Sequence, residues 1–196
     1  MRKLVVSEFV TFDGVVQAPG GVEDDTEGSF THGGWVMPYW HDDIGAHFGE
    51  SIGRSDALLV GRKTWQIHGA AFEPMADGDP NEPGFNAMQK YVVSTTLSDA
   101  SVWRNSTLIS GDVVEAVRDL KAQEGKDIYV DGSSVLVQTL AQHDLVDEYS
   151  LLVFPVVLGS GKKIFPDGLR VNLRLVESRP FPSGVVLMRY VVDRPA

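Results

Sequence analysis

Three stretches of this chain put glycine, hydroxyl and cationic residues where a chain turn exposes backbone N–H groups. In Val60-Gly61-Arg62-Lys63-Thr64-Trp65 a short apolar run stops at a glycine and a helix-compatible segment follows. A helix N-terminus there carries unpaired N–H groups and a partial positive charge, which together suit an anion. Gly61 lets a phosphate approach the backbone, and Arg62 and Lys63 add formal charge. An ordinary strand–turn–helix with a solvated basic pair has the same sequence. Asp131-Gly132-Ser133-Ser134-Val135 repeats the arrangement, with Ser133 or Ser134 as a cap. Ligands of open α/β sheets sit at the carboxyl ends of strands, so two such ends make a pyrophosphate cradle. Asp131 would repel that group, and its side chain is expected to point away. Ser94-Thr95-Thr96 ends a third apolar run. Its hydroxyls either donate to an adenosine-side phosphate or make local turn hydrogen bonds.

Other matches fail. Leu158-Gly159-Ser160-Gly161-Lys162-Lys163 lacks the upstream glycine and the Ser or Thr of a Walker A loop, and Ile164 stands where a Rossmann fingerprint has its third glycine. The five histidines form no metal motif, since His41 and His47 are six apart and fall on different helical faces. No G-x-S-x-G elbow is present, so hydrolase chemistry has no support. The chain has no cysteine, which excludes disulfides, thiolate metal sites and cysteine nucleophiles. That composition suits a reducing compartment, and a cytoplasmic location is expected. No apolar run approaches the roughly 20 residues that cross a bilayer. With a net charge of −10 the protein repels polyanions at long range, which argues against nucleic acid but leaves one small anionic cofactor allowed.

The elements that position these turns alternate along the chain. Residues 4–12, 57–60, 91–93, 107–109 and 127–130 read as strands, and residues 39–53, 112–122 and 134–142 as helices. A short helix follows Gly61. From Asp147 the character changes to consecutive strands at 148–157, 172–177 and 185–192, which are antiparallel when no helix intervenes. The expectation is one α/β domain over residues 1–196. It has a mostly parallel sheet, an antiparallel C-terminal edge and helices on both faces. The apolar strand over 151–158 invites edge pairing, hence a homodimer. Two long loops, 17–38 with five glycines and 73–86 with three prolines, suit binding or gating.

Taken in order, these segments resemble the dihydrofolate reductase superfamily, and within it the reductase domain of the bifunctional riboflavin-biosynthesis deaminase–reductase and the stand-alone proteins like it. Gly61-Arg62-Lys63-Thr64-Trp65, Val93-Ser94-Thr95-Thr96-Leu97, Gly132-Ser133-Ser134 and the stretch from Leu145 through Pro155 to Lys162 and Phe165 carry the resemblance. It implies a dihydrofolate reductase-like three-layer fold, NADPH as cofactor and hydride transfer to a pterin- or aminopyrimidine-like small molecule. Residue by residue, it implies that Gly61, Arg62, Lys63 and Thr64 meet the phosphates, assisted by Ser94 and Thr95. Gly132, Ser133 and Ser134 would hold the pyrophosphate, and Ser7 with Gly14 would lie near the nicotinamide. Asp13, Asp43 and Glu50 are the candidate catalytic acids, with Asp42 in the same helix, and Trp35, Trp40 and Phe48 the candidate pocket walls. All of these acids also read as turn or solvated helix residues. Dihydrofolate reduction and a non-catalytic NADPH-binding role stand as alternatives to the riboflavin-type reductase. A riboflavin-type reductase needs a second basic site for the substrate phosphate, and Lys162-Lys163 is the candidate for it.

Overall fold

Runs of Val, Leu, Ile and Tyr form strands because branched and apolar side chains fill both faces of a pleated surface. The computed structural model describes residues 1–76 and 78–194. Its strands are β1 (Leu4–Thr11), β2 (Ser55–Gly61), β3 (Gln89–Val93), β4 (Ser106–Ile109), β5 (Asp127–Val130), β6 (Glu148–Phe154), β7 (Leu173–Pro180) and β8 (Val186–Val192). The main helices are α1 (Asp42–Gly53), α2 (Arg62–Phe72), α3 (Val113–Ala122) and α4 (Ser134–Gln142). The strands form one sheet in the order β4-β3-β2-β5-β1-β6-β8-β7. Every ladder from β4 to β6 is parallel, and the last two are antiparallel.

Val117 and Leu120 of α3 and Leu136, Val137 and Leu140 of α4 pack on Leu4, Val6, Leu59, Ile128 and Val130, closing one face of the sheet. On the other face, Ile44 and Ile52 of α1 and Trp65 of α2 cover Leu58, Val60, Val92, Leu152 and Phe154. Side chains alternate along a strand, so Leu4, Val6, Glu8 and Val10 share the α3–α4 side of β1. Glu8 is the one carboxyl group in that apolar row.

Three expectations change. The helix after Gly61, expected to be short, runs for 11 residues. Strand β6 stops at Phe154 instead of 157 because Pro155 has no N–H to continue a ladder. Nor is β6 an edge: it lies between β1 and β8, and the free edges are β4 and β7. The 151–158 run therefore satisfies its backbone within the chain's own sheet.

The contact that positions the functional turns is between the ends of neighbouring strands β2 and β5. Gly61 N donates to Gly132 O at 3.3 Å. A Cβ added to Gly61 would lie 2.2 Å from Ser133 Oγ and 3.2 Å from Ser133 N. Gly132 has φ +68°, and a Cβ there would lie 2.7 Å from Thr64 Oγ1. Only glycine lets the two turns touch. Behind α2, fully buried Lys90 donates to the carbonyls of Phe85 at 2.7 Å and Met88 at 2.8 Å, with its ammonium 4.7 Å from the Trp103 ring centroid. This fastens the turn that holds Phe85 against His68.

Overpacking of this kind costs about 1–3 kcal/mol. Gly61→Ala is expected to lower unfolding stability by about that amount, read by urea denaturation. A variant as stable as the wild type would show that the two turns have slack.

Candidate functional site

The carboxyl ends of β1, β2 and β5 open into a cavity of about 370 Å³. Thr64 from the start of α2 and Ser133 and Ser134 from the start of α4 form one wall, and Phe9 and Phe48 form another. Every α-helix leaves its first N–H groups without intrahelical partners. Helix α1 is capped by His41, whose Nδ1 accepts from Asp43 N, and α3 by Asp112, which accepts from Val114 N and Glu115 N. The N-cap residues of α2 and α4, Gly61 and Ser133, make no side-chain cap bond. The two uncapped helices are the two that start at the cavity, so their N–H groups and positive dipole ends are left for an anion.

A polar group sits beside this wall. Glu8 is buried and its Oε1 accepts from Gly132 N at 2.8 Å. Burial pushes its carboxyl well above the usual carboxylate range; the nearby charge of Asp131 pushes the same way, against the Gly132 N–H. The protonated form of Glu8 is therefore favoured relative to that of an exposed carboxyl group. Asp131 Oδ2 lies 2.9 Å from His68 Nε2, and the His68 ring stacks on Phe85 with centroids 5.6 Å apart. Glu8, Asp131 and His68 all line the cavity. Sequence reasoning passed over Glu8 and His68. A carboxylate in an apolar, core-facing row marked the first. The second stands one helical turn from Thr64, on the same face. Asp131 does not point away from the cavity as expected; its pairing with His68 holds it there.

The loop after β1 brings acid to the cationic side. Lys63 Nζ lies 3.1 Å from Asp25 and 2.7 Å from Glu27, and Lys162 Nζ lies 2.5 Å and 2.6 Å from the same two carboxylates. Gln17 fixes the loop: its Nε2 donates to Asp25 O and Glu27 O, and its Oε1 accepts from Lys162 N, each at 3.0 Å. Trp35 Nε1 donates to Gln17 O at 2.8 Å. Hydrogen bonds from Lys162 and then Lys63 draw the Glu27 carboxyl down to about 2. The Glu27 side chain is 62% exposed, and pairs this open to solvent contribute little to stability. The loop is a weak clasp over Lys63 and Lys162.

Of the other residues singled out from sequence, Phe48 walls the cavity, while Arg62 lies in an adjoining shallow cleft among the acidic loop residues and donates to Gln66 Oε1 at 3.0 Å. Ser94 and Thr95 lie one strand over, beyond Gly61; Ser94 Oγ accepts from Thr96 N and Leu97 N, the turn chemistry that was the alternative. Ser7 is buried and Gly14 forms the corner after β1, and neither lines the cavity. Asp13 does not line it either. Burial opposes its ionisation, but Thr11 Oγ1 at 2.6 Å, Gly159 N at 2.9 Å, Leu158 N at 3.2 Å and Lys163 Nζ at 3.3 Å hold its carboxyl well below the usual range. It clamps the β1 corner to the 158–163 segment. Asp42, Asp43 and Glu50 are exposed and absent from the cavity wall, because the apolar face of α1 turns Ile44, His47 and Ile52 inward instead. Trp35 is core, edge-on to Phe154, and Trp40 is 45% exposed on the outer side of Phe9.

The profile of the RibD C-terminal domain family matches residues 2–187. The uncharacterized protein YyaP of Bacillus subtilis (strain 168) is 32% identical over 193 residues, which span 96% of this chain and 94% of YyaP. Among solved structures, a putative riboflavin biosynthesis protein from Shewanella sp. PV-4 superposes with a TM-score of 0.68 at 20% identity, covering 98% of this chain and 99% of that one. Dihydrofolate reductase from Enterococcus faecalis complexed with NADP(H) gives a TM-score of 0.63 at 15% identity, covering 98% and 97%. The fold is the dihydrofolate reductase-like one that the sequence implied.

A carboxyl whose folded-state pKa is depressed stabilises its contacts above its unfolded pKa and loses that contribution as pH falls toward the folded value. The clasp is therefore expected to open between about pH 4.5 and pH 2. The Trp35 indole N–H resonance reports it through Gln17. An unchanged resonance across that window, with the fold intact, would mean that the ion pairs do not hold the loop.

Proposed function

The chain belongs to the RibD C-terminal domain family, and from that premise we propose that it is an NADPH-dependent reductase of a pterin- or aminopyrimidine-like small molecule. The single observation that carries this reading is the pair of uncapped helix starts facing one cavity across the Gly61–Gly132 contact. A Cβ at either glycine would meet the opposite turn, at Ser133 or Thr64, so glycine at both positions is what lets the two helix starts face one opening. In this reading Thr64, Ser133 and Ser134, with the N–H groups of their turns, hold the pyrophosphate. Lys63 and Arg62 lie toward a terminal 2′-phosphate, with Ser94 and Thr95 beyond them. Lys162 faces the cavity and serves a phosphate on the substrate side.

When bound, the reduced nicotinamide supplies a hydride. The chain's own residues supply the rest. Phe9 and Phe48 offer flat apolar surface to a heterocycle. Burial favours the protonated form of Glu8, and in this reading it donates a proton to a ring nitrogen or carbonyl oxygen as the adjacent carbon accepts the hydride. It is reloaded from water, and one hydride and one proton are consumed per turnover. After burial, the charge of Asp131 pushes the Glu8 carboxyl further up, and Asp131 is itself held by His68. The exposed acids of α1 take no part.

Replacing both Arg62 and Lys63 by alanine is expected to weaken NADPH at least about tenfold more than NADH, since charge-assisted phosphate bonds are lost only for the former. Equal losses for the two coenzymes would overturn the 2′-phosphate assignment. Glu8→Gln keeps the shape but cannot donate an acidic proton. It is expected to cut turnover of a pterin or aminouracil by about 10²–10⁴-fold while leaving NADPH affinity unchanged. The wild-type rate is expected to fall as pH rises through the elevated pKa of Glu8, and the variant is expected to lack that limb. A variant with wild-type turnover would assign the proton to another donor.

A further inference from the structure

The turn that starts α4 places a carboxylate beside an anion-binding wall. Asp131 directly precedes Gly132 in that uncapped turn and lines the cavity with Ser133 and Ser134. Like charges a few ångströms apart repel strongly where water is partly excluded, so a carboxylate there opposes a pyrophosphate at the same helix start. The side chain is not free to swing into solvent. It is 18% exposed, and His68 Nε2, from α2, lies 2.9 Å from its Oδ2. His68 is fixed in turn. Phe85 stacks on its ring at an interplanar angle of 21°, and Phe72 and Trp103 meet the ring with centroids 5.6 Å and 6.5 Å away. Carrying Asp131 out of the cavity would break these contacts.

A positive charge on His68 would cancel the repulsion. Histidine is the side chain that ordinarily gains or loses a proton between about pH 5 and 8. Its Nε2 is engaged by Asp131, whereas its Nδ1 has no hydrogen-bond partner among the described residues, so a second proton meets no competing donor. The other charged groups around the ring are committed. Lys63, on the same helix, and Lys162 are each paired with Asp25 and Glu27 of the loop after β1. Lys90 stands behind the Trp103 ring, donating to carbonyls. Asp24 of the loop accepts from Gly21 N, and Glu8 of β1 from Gly132 N. That leaves His68 to answer Asp131. On the reading that NADPH lays its pyrophosphate at the two helix starts, we propose that His68 takes up a proton as the coenzyme docks, so that an imidazolium–carboxylate pair replaces a bare carboxylate beside the phosphates. The proton comes from solvent and returns to it when the coenzyme leaves. A bound state that favours the protonated form is held most tightly at low pH, and loses that advantage as pH rises past the imidazole range.

The test is calorimetric titration of the full chain with NADPH from about pH 6 to about pH 8.5, in buffers of different ionisation enthalpy, which counts the protons taken up. The wild type is expected to take up part of a proton per coenzyme, and its affinity to fall about five- to tenfold across that range. The coenzyme's own phosphomonoester titrates near about pH 6 and acts in the opposite sense. It is common to every variant, so differences between proteins isolate the histidine. His68→Gln keeps a donor to Asp131 but cannot change its charge. It is expected to lack the extra uptake, to bind NADPH about five- to tenfold more weakly than the wild type at about pH 6, and to match it at about pH 8.5. Asp131→Asn removes the repulsion itself and is expected to bind NADPH more tightly than the wild type at about pH 8.5, a gain that damage to the fold would not give. Uptake that persists in His68→Gln but vanishes in Glu8→Gln would assign the proton to Glu8 and overturn the proposal. So would weaker binding by Asp131→Asn at every pH. NADPH binding without the histidine-dependent uptake overturns this inference alone, whereas no NADPH binding at any pH overturns the reductase reading with it.

Discussion

The architecture of the candidate site depends on one close approach, the contact of the turns after β2 and β5 at Gly61 and Gly132. Neighbouring strands bring their ends within reach of each other in any parallel sheet. Here the absence of two β-carbons removes the last few ångströms. Because each turn runs straight into a helix, the contact also brings two helix starts to the same opening. Their dipole ends add where either alone would be an ordinary capped turn. The other two helices are closed by His41 and Asp112, so the difference is local and built into the residue types at the caps.

The same opening resolves an apparent conflict in a strongly acidic protein. Mean charge governs long-range encounter, whereas binding is decided by the few groups within hydrogen-bond reach. Glu8 shows this in the opposite sense. Burial among Leu4, Val6 and Val10 on its face of β1 disfavours its carboxylate form. A residue counted as negative in the composition is pushed toward its neutral form where it stands.

Much of the fold was legible because its signals are local. Each strand of the parallel half is a short apolar run with a glycine or hydroxyl stop, and α3 and α4 show helical periodicity with recognisable ends. The two glycine turns were legible for the same reason. What failed was information carried between distant segments. The pairing of β6 on both sides depends on β8, which lies some thirty residues on, and no edge property of residues 151–158 announces it. Asp13 looked like a free acid until the 158–163 segment donated to it. The acids of α1 were placed near the site by analogy, but their exposure follows from which face of that helix is apolar. Glu8 was hidden because a lone carboxylate in a strand reads as solvent-facing unless its alternation with Leu4, Val6 and Val10 is followed.

The clasp of Asp25 and Glu27 on Lys63 and Lys162 bears on how the site responds to its medium. A phosphate arriving at those lysines meets cations already neutralised by carboxylates of the same molecule, so it exchanges one set of partners for another instead of displacing salt ions from bare charges. Added electrolyte then weakens the incoming attraction and the resident competitor together. The two effects offset each other, and coenzyme affinity becomes much flatter with ionic strength than the number of cationic contacts would suggest. A molecule built this way holds its ligand by geometry and backbone donors, and keeps its coulombic response to the surrounding salt small.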